Sequence, residues 1–213
     1  MSIGSAALFT RDHFEAHKGT APAELCELVV YCLELVSQLS KSGIAYRFKG
    51  GNSLLVMLED PQRFSIDVDI VSTESKDRLI EVVDRIAADC DVFIRAESRA
   101  PKTKPWLPMI SFKVFFESVY DKPADEAFVM LDAVLEPAPY DGVSMPVRCG
   151  SLYQSDQLVE VPTVSGLIGD KLLTIGPSTL GIPMGKGKDA HRLKHVFDVA
   201  SLSRQGYDAA AAR

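Results

Sequence analysis

Apolar positions recur at helical spacing in four stretches of the chain. The longest stretch follows Pro22, which suits the first turn of a helix, and stops at Gly43, which favours a helix end. Shorter apolar runs between these stretches indicate strands. The pattern predicts helices over 22–43, 75–88, 163–175 and 188–204, and strands over 44–48, 91–97 and 109–119, besides two acidic strands.

The first acidic strand carries two aspartates separated by one residue. Because side chains alternate across a strand, Asp67 and Asp69 are expected on one face and Val68 on the other. Neighbouring carboxylates repel, and each raises the pKa of the other unless a positive group lies between them. A divalent cation supplies that charge, and Mg²⁺ is typically held by one or two carboxylates together with substrate phosphates.

A third acid, Asp132, lies inside the apolar run FVMLDAVL at 128–135. Such a run predicts a strand that is buried on both faces. An ionised carboxylate in that setting is costly unless it is paired, hydrogen-bonded or bound to a metal. Three acids on two strands therefore indicate a metal site that handles nucleotide phosphates.

A glycine-rich turn stands between the first predicted strand and the acidic strand. Gly50 and Gly51 allow a ligand to approach the backbone closely and leave amides free to face an anion. A helix over 54–59, beginning near Asn52 or Ser53, would direct its N-terminus at the same place, which favours phosphate. Asn52 and Ser53 also fit a simple helix cap, and the two roles are compatible.

Arg63 precedes the acidic strand and has two interpretations. It can balance the carboxylates or contact a phosphate, or it can form a salt bridge that orients the strand.

These residues resemble the polymerase-β-like nucleotidyltransferases, and most closely the AbiEii/AbiGii-type toxin branch. The resemblance rests on GGNS at 50–53, DVD at 67–69, Asp132, DKLL at 170–173, GPSTLGIP at 176–183 and LKHVFDV at 193–199. It covers roughly residues 44–200. It implies an α+β fold with a mixed sheet flanked by helices and a small C-terminal helical lobe. The implied domains are a nucleotidyltransferase core over 1–160 and a helical part over 161–213 that completes the active site.

The resemblance also implies a set of site residues. Asp67, Asp69 and Asp132 would hold two Mg²⁺ ions, with Mn²⁺ as a substitute. Lys171 would act as a point charge on the triphosphate. Lys194 would hold phosphate or acceptor, and Asp198 would orient Lys194 or Lys171. The predicted nucleotide-binding set is Gly50, Gly51, Asn52, Ser53, Arg63, Lys194 and Asp198.

Composition adds limits on class and partners. The chain has 213 residues, of which 46% are hydrophobic and 24% charged, which is typical of a globular protein. It has no apolar run long enough to span a bilayer, no signal-peptide pattern and no Cys-x-x-Cys pair. These features predict a cytoplasmic protein with reduced thiols and no membrane partner.

The net charge of −6 argues against a broad nucleic-acid-binding surface. It leaves room for a local basic groove, and each of two basic clusters is compatible with such a groove or with a solvated face. The clusters are Arg95, Arg99, Lys102 and Lys104, and Lys186, Lys188, Arg192 and Lys194.

The function implied by the resemblance is transfer of a nucleoside monophosphate from an NTP to RNA by a toxin of a toxin–antitoxin system. The expected acceptor is the 3′ end of tRNA, the expected donor includes pyrimidine NTPs, and a cognate antitoxin is the expected protein partner. Two alternatives stay open. The acceptor can be a protein hydroxyl or a small molecule, or the chain can be a non-catalytic nucleotide-binding module, against which the three acids argue.

Overall fold

The computed structural model describes residues 1–99, 107–120, 127–176, 185 and 187–212. A 3-10 turn at Ala6–Phe9 precedes the first helix. The helices are α1 Arg11–His17, α2 Ala23–Lys41, α3 Leu54–Met57, α4 Lys76–Asp89, α5 Val164–Ile175 and α6 Asp189–Ser203. The strands are β1 Tyr46–Lys49, β2 Asp67–Ser72, β3 Arg95–Arg99, β4 Met109–Phe116, β5 Ala127–Val134, β6 Gly142–Cys149 and β7 Tyr153–Pro162.

The first five strands form one mixed sheet in the order β1-β2-β5-β4-β3. Strand β2 runs antiparallel to β1 and parallel to β5, while β4 runs antiparallel to both β5 and β3. Strands β6 and β7 form a separate two-stranded sheet. The prediction of an α+β fold with a mixed sheet flanked by helices is confirmed.

The two faces of the five-stranded sheet differ in polarity. One face buries apolar side chains, among them Val68, Phe112 and Leu131, in a single core with the apolar sides of α2 and α4. Burial of this surface contributes roughly 25 cal/mol per Å² of apolar area removed from water. The other face carries the polar members of the same strands, which are half-buried or exposed. The helices thus cover the apolar face of the sheet.

Strand β7 is not among the strands predicted from the sequence. The strand does alternate, but Ser155 occupies a buried position and Leu158 is 61% exposed. This inversion of polarity at two positions hides the period of two that marks a half-buried strand.

The chain divides into two compact units. The first comprises Met1–Ala138 and Ser144–Val161, and the second comprises Pro139–Val143 and Pro162–Arg213. The second unit contains α5 and α6, which pack against each other. The assignment of 1–160 and 161–213 as functional domains stays a prediction.

Cys26, Cys32, Cys90 and Cys149 are buried free thiols. In the part of the chain that the structure describes, no helix is both long and apolar enough to cross a membrane.

Candidate active site

The strand register places two of the three predicted acids, Asp69 and Asp132, in one polar row across the sheet, while Asp67 lies opposite Met130. Asp69 of β2 lies directly opposite Lys49 of β1 on one side and Asp132 of β5 on the other. Asp132 in turn lies opposite Ser111 of β4, which pairs with Arg99 of β3. Directly opposed residues in neighbouring strands project from the same face, at a strand spacing of about 5 Å. The carboxylates of Asp69 and Asp132, which are expected to bind a cation, are therefore neighbours.

None of the three predicted acids is fully buried. Asp67 is exposed, and Asp69 and Asp132 are half-buried. The prediction that the Asp132 strand is buried on both faces was wrong, because β5 alternates between buried and half-buried positions along its whole length. Only one face of β5 packs on the helices, so Asp132 projects from the polar face with Asp69 and not into the core.

The Gly-Gly turn packs directly against this row. Gly50 adopts φ 77°, a left-handed conformation that favours glycine. A Cβ on Gly50 would lie 2.1 Å from Asp69 Oδ2, so the carboxylate comes up against the backbone of the turn. A Cβ on Gly51 would lie 2.9 Å from Arg63 Nη2 and 2.8 Å from Ser65 Oγ. The turn, Asp69 and Arg63 thus form one compact group.

The segment after the glycines departs from the expected helix. Helix α3 is a single turn, and Leu58 is already extended at φ −106° and ψ 136°. Pro61 disfavours helical backbone at the residue before it, which helps to end the helix early. A single turn has too few aligned peptides for a substantial dipole, so α3 contributes little to anion binding.

Asn52 and Ser53 are both buried below the turn. The Ser53 hydroxyl donates to the carbonyl oxygen of Gly50 at 3.0 Å and does not cap α3. It therefore holds the turn closed. The two polar atoms of the Asn52 side chain are buried and make no hydrogen bond of regular geometry.

Cys32 lies beneath the same region, where its thiol donates to the carbonyl oxygen of Ile66 at 3.1 Å. Burial raises the pKa of this thiol, a nearby Asn52 amide opposes the rise, and the Asp67 charge adds to it. The thiol stays protonated at neutral pH and is a poor nucleophile. Cys32 is thus a core residue next to the site.

Lys171 and Asp198 form a buried ion pair within the second unit. Lys171 Nζ donates to Asp198 Oδ2 at 2.7 Å, and the side chains are 3% and 1% exposed. Asp198 is buried on α6, whereas Lys194, four residues earlier on the same helix, is exposed. The pair therefore links α5 to α6.

The other residues of the C-terminal signatures are only partly described. Arg192 Nη2 donates to the carbonyl oxygen of Ile175 at 2.8 Å, which places a cation at the C-terminal end of α5. His195 is half-buried on α6. Most of the segment at 176–183 lies outside the described residues, as do Lys102, Lys104, Trp106 and Lys186.

The donor set on the sheet fits a divalent cation. Carboxylate oxygens are the ligands that Mg²⁺ and Mn²⁺ prefer, and Asp67, Asp69 and Asp132 reach the open face of two adjacent strands. The close approach of Gly50 to Asp69 places the backbone of the turn against the same carboxylate. Over residues 1–99, 107–120, 127–176, 185 and 187–212, no group of three or more His, Cys, Asp or Glu side chains is already arranged as a metal site.

The family model "Nucleotidyl transferase AbiEii toxin, Type IV TA system" matches residues 34–213, and the chain belongs to this family. The prediction that the protein is a nucleotidyltransferase is thereby confirmed, together with its place in the AbiEii branch. No curated protein matches the chain.

Two solved structures share the fold. An antigenic nucleotidyltransferase-like protein from Paracoccidioides brasiliensis is 14% identical at a TM-score of 0.52, over 82% of this chain and 76% of that chain. JHP933 from Helicobacter pylori is 16% identical at a TM-score of 0.54, over 84% of this chain. The match spans 64% of the Helicobacter chain, which is therefore the longer protein. At these identities the likeness concerns the fold alone.

Three residues in or beside the row were missed as candidates from the sequence. Lys49 and Ser111 flank the two acids in the register, and Lys113 lies two residues beyond Ser111 on the same face. The signal was present in β4, where Ser111 and Lys113 alternate with apolar residues. It identifies Ser111 and Lys113 as candidates only when the strand order, which places β4 beside the Asp132 strand, is known.

Proposed function

We propose that the protein transfers a nucleoside monophosphate from an NTP to the 3′ end of an RNA, with release of pyrophosphate, at the polar row of the sheet. The observation that carries this proposal is the placement of Asp69 opposite Asp132, with the Gly50 backbone against the Asp69 carboxylate. Acids and anion-binding backbone stand side by side, as transfer of a phosphoryl group requires.

Asp67, Asp69 and Asp132 would hold divalent cations, Mg²⁺ or Mn²⁺. Ions held there would supply positive charge to an in-line displacement at the α-phosphorus. Asp132 accepts the proton of the acceptor hydroxyl. The acceptor oxygen then bonds to the α-phosphorus as the bond between that phosphorus and the bridging β-oxygen breaks, and pyrophosphate departs. The transfer consumes only the NTP and the acceptor.

The Gly-Gly turn and Arg63 hold the triphosphate. The backbone amides of Gly50 and Gly51 face the anion, and the guanidinium of Arg63 beside Gly51 adds a positive charge. Asn52 and Ser53 keep the turn in shape from below, as the Ser53 bond to Gly50 supports. In this role the two side chains act on the nucleotide through the backbone.

Lys171, Asp198 and Lys194 act from the helical part of the chain. The buried pair between Lys171 and Asp198 supports a positioning role, in which it fixes α5 against α6. The exposed Lys194 supports direct contact with a phosphate of the nucleotide or of the acceptor. The toxin family supports a cognate antitoxin as the protein partner, and a cytoplasmic location fits an RNA acceptor.

The proposal is tested by a transfer assay. Purified protein is incubated with Mg²⁺, total tRNA and each α-labelled NTP in turn, with Asp69→Asn as the inactive control. We expect label on tRNA from the wild type alone, with pyrimidine NTPs preferred. Label that appears only on protein or on a small molecule when lysate is added would replace RNA by that acceptor. No label and no pyrophosphate in either mixture would contradict nucleotidyl transfer.

A further inference from the structure

The polar row continues beyond Asp132, away from the Gly-Gly turn. The sheet order places the turn after β1, Asp69 on β2 and Asp132 on β5, and then come β4 and β3. Ser111, Lys113, Arg95 and Arg99 lie on these last two strands, on the same face as Asp132. The proposed function assigns none of them a role.

We propose that this part of the sheet, defined by Ser111, Lys113, Arg95 and Arg99 and here called the β3–β4 surface, holds the single-stranded 3′ end of the RNA acceptor. The proposal rests on the proposed function and adds the place where the acceptor lies. Lys113 is its central binding residue.

The direction of attack supports this placement. In an in-line displacement the acceptor oxygen approaches the α-phosphorus from the side opposite to the leaving pyrophosphate. In the proposed function the leaving phosphates lie at the turn, which follows β1, and at Arg63, which is close to Gly51. The acceptor therefore comes from the far side of Asp132. Two strand spacings of about 5 Å each give the β3–β4 surface a width of about 10 Å, enough for the last one or two nucleotides.

The side chains of this surface suit a nucleic-acid backbone. Lys113 Nζ lies 3.9 Å from the centre of the Phe128 ring, and Arg95 Cζ lies 3.6 Å from the centre of the Phe115 ring. The two rings contact each other at 5.7 Å. Such cation–π contacts orient a cation without neutralising its charge. The aromatic pair thus supports two cations on the open face.

Charge on the surface is positive on balance. Glu97 faces Lys113 in the register but forms its ion pair with Arg95, so Lys113 and Arg99 supply the excess positive charge. The chain as a whole carries a net charge of −6, which excludes attraction of RNA by the protein's overall field. Local cations next to Asp132 then carry most of the phosphate contact, and removal of one of them has a measurable effect on affinity.

The test measures RNA binding without NTP. A fluorescein-labelled RNA hairpin that ends in single-stranded CCA is titrated with wild type, Lys113→Ala, Lys113→Arg and Lys76→Ala, and anisotropy is followed at several salt concentrations. Lys76 is the matched control, an exposed lysine on α4, which packs on the other face of the sheet. We expect Kd to rise about fivefold or more for Lys113→Ala, and the slope of log Kd against log salt to fall by about one.

Lys113→Arg keeps the charge and the ring contact, and we expect its Kd within about twofold of the wild type. Equal Kd values for Lys113→Ala and Lys76→Ala would overturn the proposal, and so would a wild type that does not bind the hairpin. Thermal melts of all variants identify any loss of binding due to unfolding. If the wild type binds RNA through Lys113 but transfers no label, the β3–β4 surface stands and the proposed function fails.

Discussion

The molecule places its functional carboxylates in two contrasting settings. On the sheet, Asp67 is exposed and Asp69 and Asp132 are half-buried, with the acids of β2 and β5 directly opposed. In the helical unit, Asp198 is buried and bonded to the Lys171 ammonium at 2.7 Å. The sheet acids crowd like charges where solvent and ligands reach them, whereas Lys171 and Asp198 neutralise each other out of reach of solvent.

This difference separates a chemical role from a structural role. Opposed carboxylates repel in the absence of a cation, and this repulsion offsets part of what their other contacts contribute to the fold. A buried pair has the opposite property. Removal of one partner leaves an uncompensated charge in a poorly solvated place, which typically costs about 3–5 kcal/mol. We therefore expect the sheet acids to control activity and the helical pair to control stability.

The largest effect is expected for Asp69→Asn in the transfer assay. Loss of one cation ligand should lower the transfer rate by about 10³-fold, equivalent to about 4 kcal/mol of transition-state stabilisation. The free energy of unfolding should stay within about 1 kcal/mol of the wild type, because Asp69 is half-buried and the repulsion from Asp132 is removed together with the charge. Asp156→Asn is the control, since Asp156 is a fully exposed acid on β7. An Asp69→Asn protein that is inactive because it is unfolded would contradict a purely chemical role for Asp69.

The next effect concerns stability. Asp198→Ala should lower the free energy of unfolding by about 3–5 kcal/mol, because Lys171 keeps a buried charge without its partner. The measurement is hydrogen exchange of the α5 and α6 amides, which reports on the helical unit itself. The double variant Lys171→Met with Asp198→Leu removes both charges and should recover most of the loss. If Asp198→Ala has the same exchange rates as the wild type, the pair is not a structural one.

A smaller effect is expected at the turn. Gly50→Ala and Gly43→Ala force alanine into nearly the same backbone, at φ 77° and φ 75°, at a cost of about 1–2 kcal/mol each. Only at Gly50 would the new Cβ meet Asp69, at 2.1 Å from Oδ2, whereas nothing lies within 4 Å at Gly43. Chemical denaturation should show the larger loss of stability for Gly50→Ala, and the transfer rate should fall at least tenfold for that variant alone. Equal activities would contradict the contact between turn and acid.

The smallest expected effect concerns the pH dependence of stability that a buried cysteine thiol contributes. Burial raises the pKa of the Cys149 thiol from 9.0 to about 11. In the unfolded chain the thiol ionises from about pH 9, so stability is complete below that pH and falls as pH rises from 9 to 11. At pH 9.5 the loss should not exceed about 1 kcal/mol in urea unfolding. Cys149→Ala should remove this part of the pH dependence, and an unchanged profile would contradict burial of the thiol.

Local patterns predicted the composition of the sheet site but not its assembly. The alternation around Asp67 and Asp69 and the apolar run around Asp132 identified both acidic strands from the sequence. Their opposition depends on β5 lying between β2 and β4, a register set by packing between distant segments. For the same reason Ser111 and Lys113 were missed, because their strand is distant from the acids in sequence.

The ion-pair partner of Asp198 depends on helix packing and could not be predicted from the sequence either. A spacing of four relates Lys194 to Asp198, but α5 packs against α6 and its Lys171 is the residue that reaches the carboxylate. Sequence alone suggests that Lys171→Ala weakens nucleotide use more than stability. The buried pair predicts a large loss of stability for that variant as well. The role of Lys171 on the triphosphate stays a prediction.

The most direct test of the central claim is Mn²⁺ binding by the sheet acids, measured by electron paramagnetic resonance. Free Mn²⁺ is titrated in the presence of the α,β-methylene analogues of CTP and UTP, which occupy the site without transfer. We expect the wild type and Asp156→Asn to bind Mn²⁺ equally, and Asp69→Asn to bind at least tenfold more weakly. If Asp69→Asn binds Mn²⁺ as tightly as the wild type, the opposed carboxylates of β2 and β5 do not form the catalytic metal site.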